Sequence, residues 1–459
     1  MRYLIPLAAL IAAPAIAHQT DPADGVSVER LQADVETMVS FGTRHTLSSY
    51  DDPDRGIGAA LDWGRSEFEK ASAACGGCLE TRFVDDMRSG RRIPEPVLIR
   101  NALAIQWGSE RPNEVVIIQG HIDSRGSDVM DAEVTAPGAN DNASGSALVL
   151  EAARMLSQRE YPTTIIYALL SGEEQGLYGG NVLADYVTEQ GWTVKAVLNN
   201  DVVGGSCGSD GVCDAQHLRV FSEGVRADAD DETRAAMRSR GGANDSPSRN
   251  LSRWLDSLAA EYPDGLDVRQ TWRSDRMGRG GDHLPFLERG YPAIRMSVAI
   301  EDYEHQHQDL RVEDGVTYGD TPDEMDFSYL AQVTRFNIRA ADRLARAPMP
   351  PVVTADGIVR PDTLLSWSGV EGADVYVIRA RRTDESDWSQ DIGIVNYERP
   401  SDQMPITPTS ERAHSITVPL RGDDWIFGIQ ACASGGVCSP VSSAVPGGGF
   451  YPLPIDSEE

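Results

Sequence analysis

A histidine and several carboxylates stand where predicted strands end. Residues 115–118 (VVII) form a short apolar β-branched run, which is typical of a buried central strand, and His121 and Asp123 follow it closely. Asp141 comes just before a helical pattern over residues 147–156. These side chains therefore fall at the carboxyl end of a strand and the amino end of the next helix, which is where open α/β sheets bind ligands.

Two further predicted strands end in acids. Residues 163–170 (TTIIYALL) run into Glu173 and Glu174, and residues 194–198 end shortly before Asp201. Carboxylates at the ends of buried strands cost free energy unless something pairs with them. Acids that converge on one edge with a single histidine would repel each other, and one or two divalent metal ions are the simplest compensation.

The order of six motifs along the chain carries a family resemblance. The motifs are His-x-Asp, Gly-x-Asn-Asp-Asn-x-Ser-Gly, Glu-Glu-x-Gly-Leu-x-Gly, Asn-Asp, Gly-Asp-His-x-Pro-Phe and a late histidine. Over roughly residues 32–344 this order resembles the M28 family of zinc aminopeptidases. The resemblance implies an α/β fold of the zinc exopeptidase type, with a central mixed, mostly parallel sheet flanked by helices. It also implies peptide substrates.

The cofactor implied by the resemblance is Zn²⁺, with two ions per chain. Asp141 would bridge the ions. His121 and Asp201 would hold one of them, and Glu174 and the late histidine would hold the other. Imidazole and carboxylate ligands suit zinc without any thiolate. The resemblance also implies a cis peptide bond after Asp141.

Two catalytic roles are implied in the same way. Glu173 would be the general base, which takes a proton from the attacking water and later passes it to the leaving amine. Asp123 would lie behind His121 and orient its ring. An exposed acidic turn is the alternative interpretation of Glu173 and Glu174.

The late histidine has two candidates, His305 and His307. The usual family pattern places an Asp four residues after the ligand, and Asp309 then favours His305. The block His-Gln-Asp-Leu-Arg over residues 307–311, which is similar to exported bacterial members of this type, favours His307. Both stay open, with a slight preference for His307.

A Gly-rich, charged loop over residues 271–285 is also predicted to be functional. The resemblance suggests that Asp282 and His283 line the site, and that Arg273, Asp275 and Arg276 shape it. Elsewhere, His45 is interpreted as a structural residue. Residues 251–260 are predicted to form the body of a helix with Ser246 or Ser248 as its cap. Asp245 could reach the metal site, but a role in this capping is the preferred interpretation.

Composition points to an exported protein. Residues 1–17 have a charged start, an apolar run and an Ala-x-Ala site, which predicts a signal peptide and a periplasmic or secreted location. The six cysteines fall into three local pairs, which favours disulfides over a zinc or redox CxxC motif. No later run is long enough to span a membrane. The net charge of −30 argues against nucleic acid as a partner.

The chain divides into two folded parts. Residues 18–346 form the predicted peptidase domain, and the Pro-rich residues 347–352 form a linker. In residues 353–459 the hydrophobic period changes to two, which predicts an all-β sandwich that resembles a fibronectin type III domain. This domain is interpreted as an accessory module whose partner the sequence does not identify.

Several functions share this type of fold, so the site must decide between them. The leading hypothesis is an exported aminopeptidase. A carboxypeptidase or dipeptidase is the main alternative, because Arg273, Arg276 and Arg279 could bind a substrate carboxylate. A glutaminyl cyclase would use one zinc and is disfavoured by the complete ligand set. A non-catalytic peptide-binding protein would have no need of Glu173.

Overall fold

The computed structural model describes residues 21–388, 390–396 and 413–454, so the predicted signal peptide lies outside the described residues. Within this part no helix is long and apolar enough to cross a membrane. The helices are α1 Val28–Ser40, α2 Gly56–Ala74, α3 Ser144–Leu156, α4 Glu173–Gly176, α5 Tyr178–Glu189, α6 Asp231–Arg240, α7 Pro247–Ala259, α8 Leu284–Glu288 and α9 Phe327–Arg346.

Ten of the strands precede the linker and seven follow it. The first ten are β1 Glu80–Gly90, β2 Ile93–Gln106, β3 Arg111–His121, β4 Thr163–Leu170, β5 Thr193–Asn200, β6 His217–Phe221, β7 Asp267–Thr271, β8 Ala293–Val298, β9 Arg311–Glu313 and β10 Val316–Tyr318. The others are β11 Val353–Asp356, β12 Thr363–Ser368, β13 Val375–Arg382, β14 Gln390–Asn396, β15 Ala413–Val418, β16 Trp425–Cys432 and β17 Ser442–Ser443.

The main sheet has eight strands in the order β1-β2-β4-β3-β5-β8-β6-β7. Its four central strands, β4, β3, β5 and β8, run parallel to one another. Antiparallel pairs join β1 to β2, β2 to β4 and β8 to β6. The predicted mixed, mostly parallel sheet is confirmed. Since the central strands are parallel, their carboxyl ends meet at one edge, which we call the ligand edge.

Both faces of this sheet are buried, because alternate residues of each strand enter different cores. In β4, Ile165 and Leu169 pack in the core with α1, α2, α3 and α9. The neighbouring Ile166 and Leu170 pack on the opposite face with residues of α5 and α8. Every residue of β4 is buried, which explains its continuous apolar sequence.

A tight approach of backbone to backbone brings α3 to the ligand edge. An irregular turn, Ala139–Ala143, leads into α3, and the Asp141–Asn142 peptide bond in it is cis, as the family resemblance implies. A Cβ at Gly145 would lie 2.2 Å from the carbonyl oxygen of Asn200. Only glycine allows the start of α3 to lie this close to the end of β5.

The C-terminal part is an all-β sandwich, as predicted. One sheet has the order β11-β12-β15 and the other β14-β13-β16-β17, and all pairs are antiparallel. Trp367 and Leu365 of the first sheet share a core with Tyr376 and Phe427 of the second. Its likeness to fibronectin type III stays a prediction.

The sandwich contacts the peptidase part through a buried polar cluster, which we call the domain junction. Arg381 of β13 donates a hydrogen bond of 2.6 Å from Nη2 to Oδ1 of Asp245. Ser443 donates to the same carboxylate oxygen at 3.2 Å. Ser246 is the cap of α7, since its Oγ accepts from the backbone N–H of Arg249. The predicted cap Ser246 is therefore confirmed, whereas the capping role considered for Asp245 is wrong, because its carboxylate contacts the other domain.

All three predicted disulfides form: Cys75–Cys78, Cys207–Cys213 and Cys432–Cys438. No cysteine is free. The bridged residues are three, six and six positions apart in sequence. Each bridge therefore closes a small loop within one domain.

Candidate metal centre

Successive elements bring the predicted ligands to the ligand edge. His121 is the last residue of β3, and Asp201 directly follows β5. Glu174 lies in the single-turn helix α4, which follows β4 after a left-handed Gly172. Asp141 lies in the irregular turn before α3. Four carboxyl or imidazole groups thus meet because three parallel strands end together.

The carboxylate of Asp141 lies between two histidines. Its Oδ1 is 3.2 Å from Nε2 of His121, and its Oδ2 is 2.8 Å from Nε2 of His307. His307 Nε2 also lies 3.2 Å from Oε2 of Glu174. On the other side, His121 Nε2 lies 3.8 Å from Oδ1 of Asp201.

The donor atoms separate into two groups around this carboxylate. One consists of His121, Glu173 and Asp201, and the other of Asp141, Glu174 and His307; within each group the donor atoms lie within 4.8 Å of one another. One oxygen of Glu174, Oε1, is buried without a hydrogen-bond partner in the protein. A donor set of imidazoles and carboxylates, with a buried orphan oxygen, fits zinc.

The two candidate histidines differ in their surroundings. His305 lies in a separate group with Asp302 and Glu324. Its Nδ1 is 2.6 Å from Oδ2 of Asp302, and its Nε2 is 3.9 Å from Oε1 of Glu324. Of the two, the structure brings His307 to Asp141 and Glu174.

Comparisons with known proteins identify the family. Residues 101–314 match peptidase family M28. A probable zinc metalloprotease of Pyrenophora teres f. teres is 40% identical over 440 residues, which cover 94% of this chain and 86% of the relative. The chain belongs to peptidase family M28. A probable zinc metalloprotease of Pyricularia oryzae is also similar, at 39% identity over 94% of this chain and 83% of its own length.

Solved structures share the fold. The Legionella pneumophila protein LapB has a TM-score of 0.53 at 19% identity, over 71% of this chain and 74% of its own. The L. pneumophila LapA aminopeptidase has a TM-score of 0.51 at 19% identity, over 71% of this chain and 73% of its own. This M28 protein is therefore a zinc metalloprotease by family, with the zinc exopeptidase fold.

Asp123 of this M28 protein has two sets of contacts. Its carboxylate accepts from the backbone N–H groups of Glu173 at 3.3 Å and Glu174 at 3.2 Å, and from the hydroxyl of Thr46 at 3.0 Å. His121 Nδ1 is 3.1 Å from the carbonyl oxygen of Asp123 and 3.6 Å from its carboxylate. The backbone carbonyl of Asp123 thus lies nearer to the His121 ring than its carboxylate does, while its side chain accepts from the turn that carries both glutamates.

The electrostatics of the centre reflect many acids around few bases. Desolvation of the Glu173 carboxyl raises its pKa well above the ordinary value, against the opposing charge of His121. Burial works to lower the pKa of His121, but Glu173 and the other surrounding carboxylates raise it well above the ordinary value. Burial likewise opposes protonation of His307, yet Glu174 and Asp141 raise its pKa to about 9. Both imidazoles lie in a field that favours a positive charge.

Several residues contact the ligands without having been predicted to do so. Arg295 donates from Nη2 to Asp201 Oδ1 at 2.7 Å, and Gln306 donates from Nε2 to Asp141 Oδ2 at 2.7 Å. Arg125 donates from Nε to Glu174 Oε2 at 2.9 Å. A signal was available for Arg295, a lone charge within an otherwise uncharged strand, β8.

Asp320 is a further unpredicted residue near the centre. Its carboxylate accepts from the backbone N–H of Asn140 at 2.8 Å and from that of Asp141 at 2.7 Å. Burial raises the pKa of Asp320 to about 7, although these two hydrogen bonds oppose the shift. Asp320 therefore fixes the backbone turn that presents Asp141.

The predicted functional loop lies against the centre. Asp282 and His283 are fully buried, and burial raises the pKa of Asp282 to about 7. Asp282 Oδ1 accepts from the N–H of Gly180 at 3.1 Å, and Nε2 of His283 lies 2.7 Å from the carbonyl of Ser274. These two side chains support the loop from within. His45, buried beside the carbonyl of Val129 at 3.0 Å, is placed as a structural residue.

Two of the three arginines of this loop, Arg276 and Arg279, are engaged within the protein, whereas Arg273 is exposed. Arg276 and Arg279 both donate to Oε2 of Glu301, at 3.1 and 3.0 Å. Arg276 also donates to Oδ1 of Asp275 at 3.0 Å. The loop thus carries an internal ion-pair network beside the metal centre.

Proposed function

We propose that this chain is an exported aminopeptidase that binds two zinc ions and removes N-terminal residues from peptides. The observation that carries the proposal is the position of Asp141, whose two oxygens face His121 and His307 separately. A carboxylate with one oxygen toward each of two N/O donor groups is what a pair of ions about 3.5–4 Å apart requires.

The proposed ligand sets follow from the two groups. His121 and Asp201 would hold one ion, Glu174 and His307 the other, and Asp141 both. His305 is left out of the proposed set because its nearest acid is Asp302. When bound, the ions would supply Lewis acidity, which lowers the pKa of water and polarises the scissile carbonyl.

Glu173 is the proposed general base. Its carboxyl lies in the group of His121 and Asp201, and its backbone is held by Asp123. Its carboxylate would accept a proton from the water that attacks the peptide carbonyl carbon. As the C–N bond breaks, the same proton would pass to the leaving amine. A raised pKa suits a group that must gain and then lose a proton near neutral pH.

Two observations favour aminopeptidase over carboxypeptidase. Arg276 and Arg279, which could otherwise bind a substrate carboxylate, are both paired with Glu301. The fold is shared with the LapA aminopeptidase. Export is supported by the three disulfides, which persist in oxidising compartments, together with the predicted signal peptide.

The test compares three kinds of substrate on one preparation whose zinc content is measured. Aminoacyl-p-nitroanilides should be cleaved, N-blocked analogues of the same sequence should not, and the preparation should hold about two zinc per chain. Release of C-terminal residues from N-blocked peptides would replace the proposal with a carboxypeptidase. Full zinc occupancy without turnover of any reporter would instead support a peptide-binding role.

A further inference from the structure

One loop links the metal centre to the domain junction. This loop, residues 271–283, follows β7 and ends just before α8. We call it the active-site loop. Its first half contacts arginines at the domain junction, and its second half contacts residues that hold the proposed metal ligands.

At the junction end, Trp272 covers two arginines of α7. The guanidinium carbon of Arg249 lies 4.7 Å from the Trp272 ring centroid, and that of Arg253 lies 5.6 Å from it. Arg253 Nη1 is 3.7 Å from Oδ1 of Asp245, the same oxygen that Arg381 of the C-terminal domain contacts at 2.6 Å. All three junction charges are at least 97% buried.

The junction has further ties between the domains. Trp388 of the sandwich donates from Nε1 to Asn250 Oδ1 at 3.1 Å, and Asn250 donates from Nδ2 to Ser443 Oγ at 2.8 Å. Arg253 donates to the same Asn250 oxygen at 2.9 Å. Of the two arginines that Trp272 covers, Arg253 therefore shares its partners Asp245 and Asn250 with the C-terminal domain. Arg249 donates to Ser222 of the peptidase part instead.

At the metal end, the loop holds Arg295. The carbonyl of Gly280 accepts from Arg295 Nη1 at 2.9 Å, and Asp275 Oδ2 accepts from the same nitrogen at 3.4 Å. The other nitrogen, Nη2, donates to Asp201. The loop thereby determines where a fully buried guanidinium meets the carboxylate of a proposed zinc ligand.

A second connection runs to the bridging carboxylate. Arg279 donates from Nη1 to Gln306 Oε1 at 3.2 Å, and Gln306 donates from Nε2 to Asp141 Oδ2. Two of the proposed ligands, Asp201 and Asp141, thus depend on the same loop through one intermediate side chain each.

We propose that Trp272 and the Asp245–Arg381 pair are positioning residues, through which the C-terminal domain fixes the active-site loop and so orients Asp201 and Asp141. The C-terminal domain is then part of the machinery of the metal centre. The proposal rests on the proposed dizinc site for its metal readout. The partners that orient a metal ligand are typically worth 10- to 100-fold in metal affinity.

The test replaces Trp272, whose side chain is partly exposed and whose loss leaves no buried charge. Trp272→Ala is compared with Trp107→Ala as a matched control. The two tryptophans are 42% and 45% exposed. Trp107 packs on Trp192, which precedes β5 at the edge of the sheet opposite the ligand edge. Trp272→Phe keeps an aromatic face over the arginines and serves as the conservative variant.

Two measurements are made: the rate of zinc transfer from zinc-loaded protein to a coloured chelator, and amide hydrogen exchange over residues 271–283 with and without zinc. Trp272→Ala should speed zinc transfer by roughly 10-fold and increase exchange across the loop. Trp107→Ala should change neither, and Trp272→Phe should restore most of both. Unchanged zinc transfer and exchange in Trp272→Ala would overturn the proposal.

A second variant keeps the test decisive if Trp272→Ala does not fold. The double variant Asp245→Asn, Arg381→Gln removes the charge pair that joins the two domains, and it should also raise exchange over residues 271–283. Exchange in this loop no greater than in wild type would contradict the role of the C-terminal domain. Wild-type protein that binds no zinc would defeat the proposed function alone, because hydrogen exchange reports the loop without metal or turnover.

Discussion

The metal centre and the domain junction both bury charge, but they balance it differently. At the centre, four acids are accompanied by two imidazoles and two guanidinium groups, and one glutamate oxygen has no partner. The acids are Asp141, Glu173, Glu174 and Asp201, and the guanidinium groups belong to Arg125 and Arg295. At the junction, the single carboxylate of Asp245 contacts two arginines. Acids in excess require a cation from outside the chain, whereas arginines around one acid do not. An excess of buried carboxylates thus marks the ligand site, whereas an excess of buried arginines marks the structural contact between the domains.

Replacement of the proposed base, Glu173, tests the metal-centre side of this comparison, and we expect it to cause the strongest change in activity. Glu173→Gln removes the proposed base but no proposed zinc ligand, so kcat should fall by up to roughly 10⁴-fold while zinc content is unchanged. Steady-state turnover and elemental analysis of the same sample provide the measurement. Loss of zinc would show that Glu173 acts as a ligand, and retained turnover would exclude it as the base.

The next effect tests the junction. Arg381→Met leaves Asp245 buried with a weaker set of partners, and the loss of one member of a buried pair costs about 3–5 kcal/mol. Denaturant unfolding should show this loss. The triple variant Asp245→Asn, Arg253→Met, Arg381→Met should lose less, because it leaves none of the three junction charges uncompensated. Equal losses in the single and triple variants would mean that packing, and not charge balance, stabilises the junction.

The smallest effect distinguishes neighbouring histidines. His307→Ala should lower the affinity for one of the two zinc ions, so that about one ion per chain remains after dialysis. His305→Ala should leave the zinc content unchanged, because this ring lies with Asp302 and Glu324. The zinc-to-protein ratio of both variants is the measurement. The reverse result would move the proposed ligand to His305.

The ligand edge could be predicted because its imidazole and carboxylate groups come directly after strands in the sequence. Residues placed just after β3, β4 and β5 must meet if the strands are parallel, so His121, Glu174 and Asp201 were accessible from local pattern alone. The choice between His305 and His307 was not, since it depends on how an irregular loop turns. His307 has a left-handed backbone, with φ of 57°, which spacing does not encode.

The contacts that cross large sequence distances were also beyond local pattern. Asp245 and Arg381 are 136 positions apart, and Arg295 and Asp201 are 94 apart. Nothing near Asp245 in the sequence indicates an arginine partner in another domain, so a helix cap was the natural local interpretation. Pairings of this kind are set by how the domains and loops pack, which periodicity does not report.

The short disulfides determine what a proteolytic cut would do. Each bridge closes a loop within one domain, and all six cysteines are used in this way. Only the backbone of residues 347–352 joins the two domains covalently. After a single nick in that segment, the halves would separate on a non-reducing denaturing gel but stay together in native buffer for as long as the junction holds. The rate at which the two domains dissociate would therefore determine whether a cleaved molecule remains one particle or becomes two.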